Sequence, residues 1–163
     1  MAVPTKRRDR GASLVEFALL APLLFLLLLG MITGGLTLSQ KNSLENGTRE
    51  AVRFGAVNPV TAGAEHDFLA EVIDAAVDAS TGELDLTDSE HSVCAAYVND
   101  DGDIFRTVED SGGPADDTGT LCFSDGRTEA RVQVVAERKG EIELLVSTIR
   151  PTLRAQAVTR YER

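Results

Sequence analysis

A carboxylate stands at the start of a long apolar run, where its chemistry would be charge pairing. Glu16 lies five residues after Gly11 in the stretch GASLVEFALLAPLLFLLLLG, and residues 17–38 contain no charged side chain. An ionised carboxylate carried to the centre of a bilayer costs roughly 2.5–3.5 kcal/mol. We therefore expect Glu16 either to lie among lipid headgroups or to have a nearby positive charge that compensates it.

A serine within a Gly/Pro-rich stretch offers a second chemistry, nucleophilic catalysis. DSGGP, residues 110–114, resembles the nucleophile motif of chymotrypsin-like serine proteases. Such a serine needs a histidine base, and the candidates are His66 and His91, neither in an Ala-His-Cys setting. The segment outside the apolar run is also too short for two barrels. A turn is the better interpretation of Ser111, and a secreted hydrolase is disfavoured.

An acidic stretch has the spacing of a calcium loop but lacks one of its requirements. Positions 1, 3, 5 and 12 of such a loop would be Asn99, Asp101, Asp103 and Asp110. Position 6 needs a glycine and is Ile104, so a hairpin turn explains the residues better than calcium does. Two scattered histidines and two cysteines do not make a zinc site. No nucleotide-binding glycine motif is present, and we expect no metal, no cofactor and no small-molecule substrate.

Two cysteines lie 28 positions apart, at Cys94 and Cys122. If this segment is exported, an even count in an oxidising compartment predicts one disulfide. Closing a loop of this length contributes roughly 3–4 kcal/mol in the chain-entropy treatment. Two buried free thiols are the alternative.

The charge is distributed unevenly along the 163 residues, whose net charge is −10. Residues 39–163 hold 24 acidic and 12 basic side chains, and residues 65–125 hold 17 acidic side chains with Arg106 as the only base. Binding to nucleic acid depends on neutralising phosphates with Lys and Arg. An acidic domain of this kind disfavours nucleic acid as a partner and favours a hydrated surface.

The apolar run predicts a membrane-spanning helix. As a helix, its 22 uncharged residues span roughly 33 Å, enough for a hydrocarbon core of about 30 Å. Four basic residues precede it: Lys6, Arg7, Arg8 and Arg10. This arrangement favours a cytoplasmic N-terminus and an extracytoplasmic C-terminal domain. The run is longer than that of a secretory signal peptide, and the nearest imitation of a cleavage site, TGG at residues 33–35, is poor.

The same residues carry a resemblance to type IV prepilins, and more narrowly to the TadE-like family of the tight-adherence (Flp) pilus machinery. The prepilin processing site is a glycine followed by a glutamate at the fifth mature position, as in Gly11 and Glu16. The E-F-A-L-x-x-P pattern of the family is matched by Glu16, Phe17, Ala18, Leu19 and Pro22. NGTREAVRFGA, residues 46–56, is similar to a second family stretch, although it has Gly47 and Thr48 where alanines are usual.

The resemblance implies a membrane-anchored pseudopilin that is not an enzyme. A prepilin peptidase would cut after Gly11 and free the amine of Ala12, which Glu16 could pair with in its own chain or in a neighbour. Glu16, Phe17 and Pro22 would then be assembly residues, and the partners would be other pilin-like subunits and membrane proteins of pilus assembly. An exported binding or sensor domain on an uncleaved signal anchor is the alternative.

The periodicity of the chain predicts an α+β fold. We expect a leader at residues 1–11, a transmembrane and extended helix at 12–56, and an acidic domain with one helix and an antiparallel sheet at 57–163. The long helix has a narrow face that could pack on its own domain or on a partner, made by Leu44, Thr48, Ala51 and Gly55. The second helix is predicted at 64–79, and strands are predicted at 92–98, 104–108, 121–123, 131–137 and 153–159. Residues 142–149 could be strand or helix, and their β-branched residues favour a strand.

Overall fold

The computed structural model describes residues 9–88, 90–110, 122, 129–140, 142–143 and 148–160. Two helices come first, α1 (Asp9–Val57) and α2 (Glu65–Ala79). The strands are β1 (His91–Val98), β2 (Ile104–Asp110), β3 (Arg131–Lys139), β4 (Ile142–Glu143), β5 (Thr148–Ile149) and β6 (Thr152–Arg160). The chain forms two compact units, Met1–Leu38 and Ser39–Arg163. The predicted α+β class is confirmed.

The first unit contains the apolar part of α1, which continues through Pro22. Within the described residues, this is the one helix long and apolar enough to cross a membrane, and its most apolar window has no buried side chain. The two hydroxyl groups within residues 17–38 form hydrogen bonds inside the helix. Thr33 Oγ1 donates to the Leu29 carbonyl at 2.7 Å, and Thr37 Oγ1 donates to the Thr33 carbonyl at 3.0 Å. Such internal bonds let hydroxyl groups lie in hydrocarbon.

The last part of α1, from Ser39 to Val57, belongs to the second unit and packs within it. The predicted narrow face is buried there, so it lies on its own domain (Leu44, Thr48, Ala51 and Gly55). Close approach of the backbones explains Gly47, because a Cβ at that position would come within 2.7 Å of the Ala76 carbonyl oxygen. The helix ends where Asn58 donates its backbone N–H and its side-chain Nδ2 to the Phe54 carbonyl.

Helix α2 is amphipathic and confirms the predicted helix within one residue. Its buried face consists of Phe68, Leu69, Val72, Ile73 and Ala76. The helix stops because Thr81 and Gly82 both have positive φ angles, +55° and +84°. Glycine adopts this conformation without steric cost, which suits Gly82 to its place just after the helix.

The sheet has four antiparallel strands in the order β2-β1-β3-β6. Alternate residues of β1 and β3 point into the main core together with α2, among them Val93, Ala95, Val132 and Val134. The β1–β2 hairpin turns at Asn99, whose Oδ1 accepts the N–H groups of Asp101 and Asp103 at 3.1 and 2.7 Å. The structure therefore has the predicted hairpin turn at these acidic residues.

Two strand predictions are wrong. Residues 142–149 do not form one strand, because β4 and β5 are two-residue strands that pair antiparallel with each other, Ile142 opposite Ile149. The apolar, β-branched composition of the segment concealed this break. The strand predicted at 121–123 fails at Cys122, which lies in a bend, and the two flanking residues are outside the described part.

Candidate functional site

Gly11 lies in the first turns of α1, and nothing in the fold accounts for a glycine there. A Cβ added to Gly11 would meet no atom within 4 Å. Glycine in a helix interior costs about 1 kcal/mol relative to alanine. The reason for this residue therefore lies outside the packing of the described chain, which fits recognition by another protein.

The predicted assembly residues follow on the same helix, and all of them are exposed. Glu16 lies four residues after Ala12, a rise of about 6 Å or one helical turn. Glu16 has no ion-pair partner within the part of the chain that the structure describes. The Phe17 side chain is 63% exposed and Pro22 is exposed as well. The helix places these residues within a few turns of one another. Their partners are therefore to be sought in another molecule or at the processed terminus.

The apolar surface around them is large. Sixteen bulky apolar side chains between Leu14 and Leu38 are exposed. Burying one such side chain is worth about 1.5–3 kcal/mol. This surface therefore requires lipid or neighbouring apolar helices to cover it.

Sequence reasoning missed two glycines on this helix. Gly30 and Gly34 are four residues apart, and a Cβ at either would meet nothing within 4 Å. Small residues at this spacing let membrane helices approach closely. The signal was the G-x-x-x-G pattern, which the leucine-rich surroundings concealed.

The two cysteines lie at disulfide distance, and the structure joins them. Cys94 and Cys122 have Cα atoms 5.6 Å apart, within the usual range for a bridge. Both are buried, at 0% and 6% exposure, and form a small second cluster with Ala96. Since Cys94 and Ala96 alternate with the core residues of β1, the bridge fixes Cys122 to the opposite face of the sheet.

The two histidines make structural contacts. His66 Nδ1 lies 3.3 Å from Thr107 Oγ1, and the buried His91 has Nδ1 3.0 Å from the backbone of Asp85. Ser111, the candidate nucleophile, falls outside the described residues. In the part that is described, no three His, Cys, Asp or Glu side chains are grouped so as to hold a metal ion.

Local hydrogen bonds stabilise two carboxylates, Glu65 at the start of α2 and Asp85 in the loop between α2 and β1. The Thr87 hydroxyl and N–H donate to Asp85 Oδ1 at 2.6 and 2.9 Å and hold the Asp85 pKa below its ordinary value. The Gly63 N–H donates to Glu65 at 3.0 Å and lowers the pKa of that carboxyl in the same way. These contacts shape loops, and neither group belongs to the anchor.

Residues 11–53, all within α1, match the family model described as TadE-like protein. No curated protein and no solved structure gives a significant match to the chain. The family consists of structural pilus-associated proteins and is not known as enzymatic. Over residues 11–53, therefore, the chain is similar to the TadE-like family.

Proposed function

We propose that the protein is a TadE-like pseudopilin, a membrane-anchored component of tight-adherence (Flp, type IVb-like) pilus assembly that a prepilin peptidase processes after Gly11. One observation carries the proposal. The family match begins at Gly11, a helical glycine for which the packing gives no reason, and a glutamate follows five residues later.

Charge pairing gives Glu16 its role in this proposal. Cleavage after Gly11 frees the α-amino group of Ala12 one turn from the Glu16 carboxylate. A carboxylate in the first turns of a helix also interacts favourably with the helix dipole. In a low-dielectric setting a charge pair is favoured over either charge alone, so Glu16 fixes the register of the helix against its own terminus or that of a neighbour.

The proposal also assigns a location to each segment of the chain. Residues 1–11 are a cytoplasmic leader, 12–56 a transmembrane and extended helix, and 57–163 an extracytoplasmic domain. Other pilin-like subunits cover the exposed apolar side chains of α1, and Phe17 and Pro22 contribute to that contact. Gly30 and Gly34 give these subunits a place for close approach.

The mature N-terminus tests the proposal. We expect intact mass and N-terminal sequencing of the protein from its own membranes to give a chain that starts at Ala12. A bulky substitution, Gly11→Phe, should block this processing, since the peptidase would meet a side chain at the cleavage site. Gly30→Phe is the matched control, because it places the same bulk in the same helix away from that site.

An intact leader would overturn the proposal. A wild-type chain that still starts at Met1 would identify an uncleaved signal anchor, and the extracytoplasmic unit would then be an exported binding or sensor domain. Normal processing of Gly11→Phe would remove Gly11 as the cleavage site.

A further inference from the structure

One edge of the sheet carries an open groove. Strand β6 is the last strand in the order, and no described strand pairs with its outer side. A groove of about 430 Å³ runs between β6 and the last turns of α1. It is lined by α1 residues that include Arg49, Arg53 and Val57, and by residues 156–159 of β6.

The groove combines positive charge with apolar surface. Arg53 is exposed and has no ion-pair partner among the described residues, whereas Arg49 pairs with Glu45 at 3.1 Å. Val57 lies beside them, is 76% exposed and contributes apolar surface.

A surface of opposite charge lies toward the other edge of the same sheet. Helix α2 packs on β1 and β2, the strands farthest from β6. Its exposed face is a stripe of carboxylates at 4-3-4 spacing, Asp67, Glu71, Asp74 and Asp78. None of them forms an ion pair with a Lys or Arg that the structure describes. Like charges four residues apart destabilise a helix, so the stripe gains from a cationic partner.

We propose that the groove between α1 and β6 binds the acidic face of α2 of a second copy of this chain. The inference deepens the proposed function and rests on it, because it names the surface by which the extracytoplasmic units meet. Arg49 and Arg53 are separated by one helical turn of about 6 Å, as are Asp74 and Asp78, so two charge pairs form together when the helices lie side by side. The two surfaces lie toward opposite edges of one sheet, so the contact is head-to-tail, and such a contact leaves a free surface for the next copy.

Cross-linking of the full-length chain in its native membranes tests the contact. Two differently tagged copies are co-expressed, one with Arg53→Cys and the other with Asp74→Cys. A short bis-maleimide reagent joins the new thiols and leaves the Cys94–Cys122 bridge untouched. We expect cross-linked dimers from this pair, and none when Lys41→Cys or Asp101→Cys replaces one partner, since both positions are exposed and lie outside the two surfaces.

Charge reversal separates docking from chance proximity. When dimers are measured by co-purification of the two differently tagged copies from solubilised membranes, Arg53→Glu alone should lower the dimer yield about three- to tenfold, and Asp74→Arg should do the same, because attraction is replaced by repulsion. Both substitutions in one chain should restore the yield. Lys41→Glu and Asp101→Arg make the same charge changes elsewhere and should have no effect. Raising the salt to about 1 M, where the Debye length is about 3 Å, should weaken the wild-type contact.

Two results would overturn the inference. One is equal cross-linking at the control positions, or no restoration by the double reversal. The other is a chain correctly processed to Ala12 that yields no self-cross-link. That second result leaves the pseudopilin proposal standing and removes only the self-docking, whereas an unprocessed chain contradicts the pseudopilin proposal itself.

Discussion

Glu16 is the residue that carries the proposed charge pairing, and substitutions can separate its charge from its polarity. Glu16→Val and the isosteric Glu16→Gln should both leave the helix in the membrane, because neither adds a charge. Both should strongly reduce pilus assembly, since no carboxylate remains to pair with the amine of Ala12. Sheared surface pili, measured against the membrane-bound protein, provide the readout.

The matched control for Glu16 is Thr33→Val, which also removes a polar group from the span. Its hydroxyl bonds only to the Leu29 carbonyl of its own helix, so assembly should be unchanged. Normal piliation in Glu16→Gln would show that the carboxylate has no role in register.

At Gly47, backbone contact between α1 and α2 predicts a graded response to alanine. A Cβ there would lie 2.7 Å from the Ala76 carbonyl oxygen, and overpacking of this kind costs about 1–3 kcal/mol. The gain in helix propensity offsets about 1 kcal/mol of this cost. We expect Gly47→Ala to lower the free energy of unfolding by up to about 2 kcal/mol in thermal or denaturant melts of the full chain in detergent.

Alanine variants at two further glycines serve as references for that measurement. Gly55→Ala should cost less, because the nearest atom is the Val132 side-chain Cγ1, which can move. Gly34→Ala should cost nothing, because its Cβ meets open space. A Gly47→Ala chain as stable as Gly34→Ala would contradict the close approach of the two helices.

The Asp85 carboxylate gives the outer unit a defined response to acid. Hydrogen bonds from Thr87 hold its pKa below the ordinary value, so its contribution to stability is present above about pH 3.9 and is lost as the pH falls through its folded-state pKa. Near neutral pH, the melting temperature of the wild type should therefore be higher than that of Asp85→Asn. This difference in melting temperature should shrink as the pH is lowered. A difference in melting temperature that is independent of pH would assign the loss to geometry rather than charge.

Among the elements, the Cys94–Cys122 bridge joins β1 to the bend at Cys122. Replacing both cysteines by alanine should lower the free energy of unfolding by about 3–4 kcal/mol, the value expected for a loop of this length. Membrane anchoring should be unaffected, because the bridge lies in the second unit. Melting of the double variant measures the first effect and membrane fractionation the second; unchanged stability would contradict the bridge.

Hydrophobic periodicity predicted those elements that have one clearly apolar face. The 4-3-4 spacing in the last part of α1 predicted its buried face correctly, because a helix that packs on a domain must bury one side. Residues 142–149 were misassigned because an apolar run with β-branched residues does not show where pairing stops. Cys122 was predicted to lie in a strand but lies in a bend, where the bridge to Cys94 holds it.

The anchor residues were recognisable from the sequence, whereas the groove beside β6 was not. Gly11 and Glu16 are local, so their spacing can be read directly. Arg53 lies beside β6 only because β6 is the edge strand next to α1. The strand order is also needed to place Arg53 and the carboxylates of α2 toward opposite edges of the sheet.

Basic and acidic residues are segregated along the molecule as a whole. Basic residues gather before the apolar helix, and the acidic side chains gather in the unit that follows it. The excess of Lys and Arg at the start sets the orientation of a single-pass helix. Oxidation of Cys94 and Cys122 then becomes a reporter of orientation, because disulfides form outside the reducing cytoplasm.

This reporter makes the predicted topology measurable. Replacing Lys6, Arg7, Arg8 and Arg10 by Gln removes the basic excess and leaves Lys41, Arg49 and Arg53 as the positive charges nearest the other end of the helix. A fraction of the chains should then insert in the inverse orientation, with both thiols reduced and open to alkylation by a maleimide. Wild type should resist alkylation until a reductant is added. Lys41→Gln is the control, since it removes a charge from the far side and should leave the thiols fully oxidised. Complete oxidation in the leader variant would mean that another feature of the chain, and not the basic residues, sets its orientation.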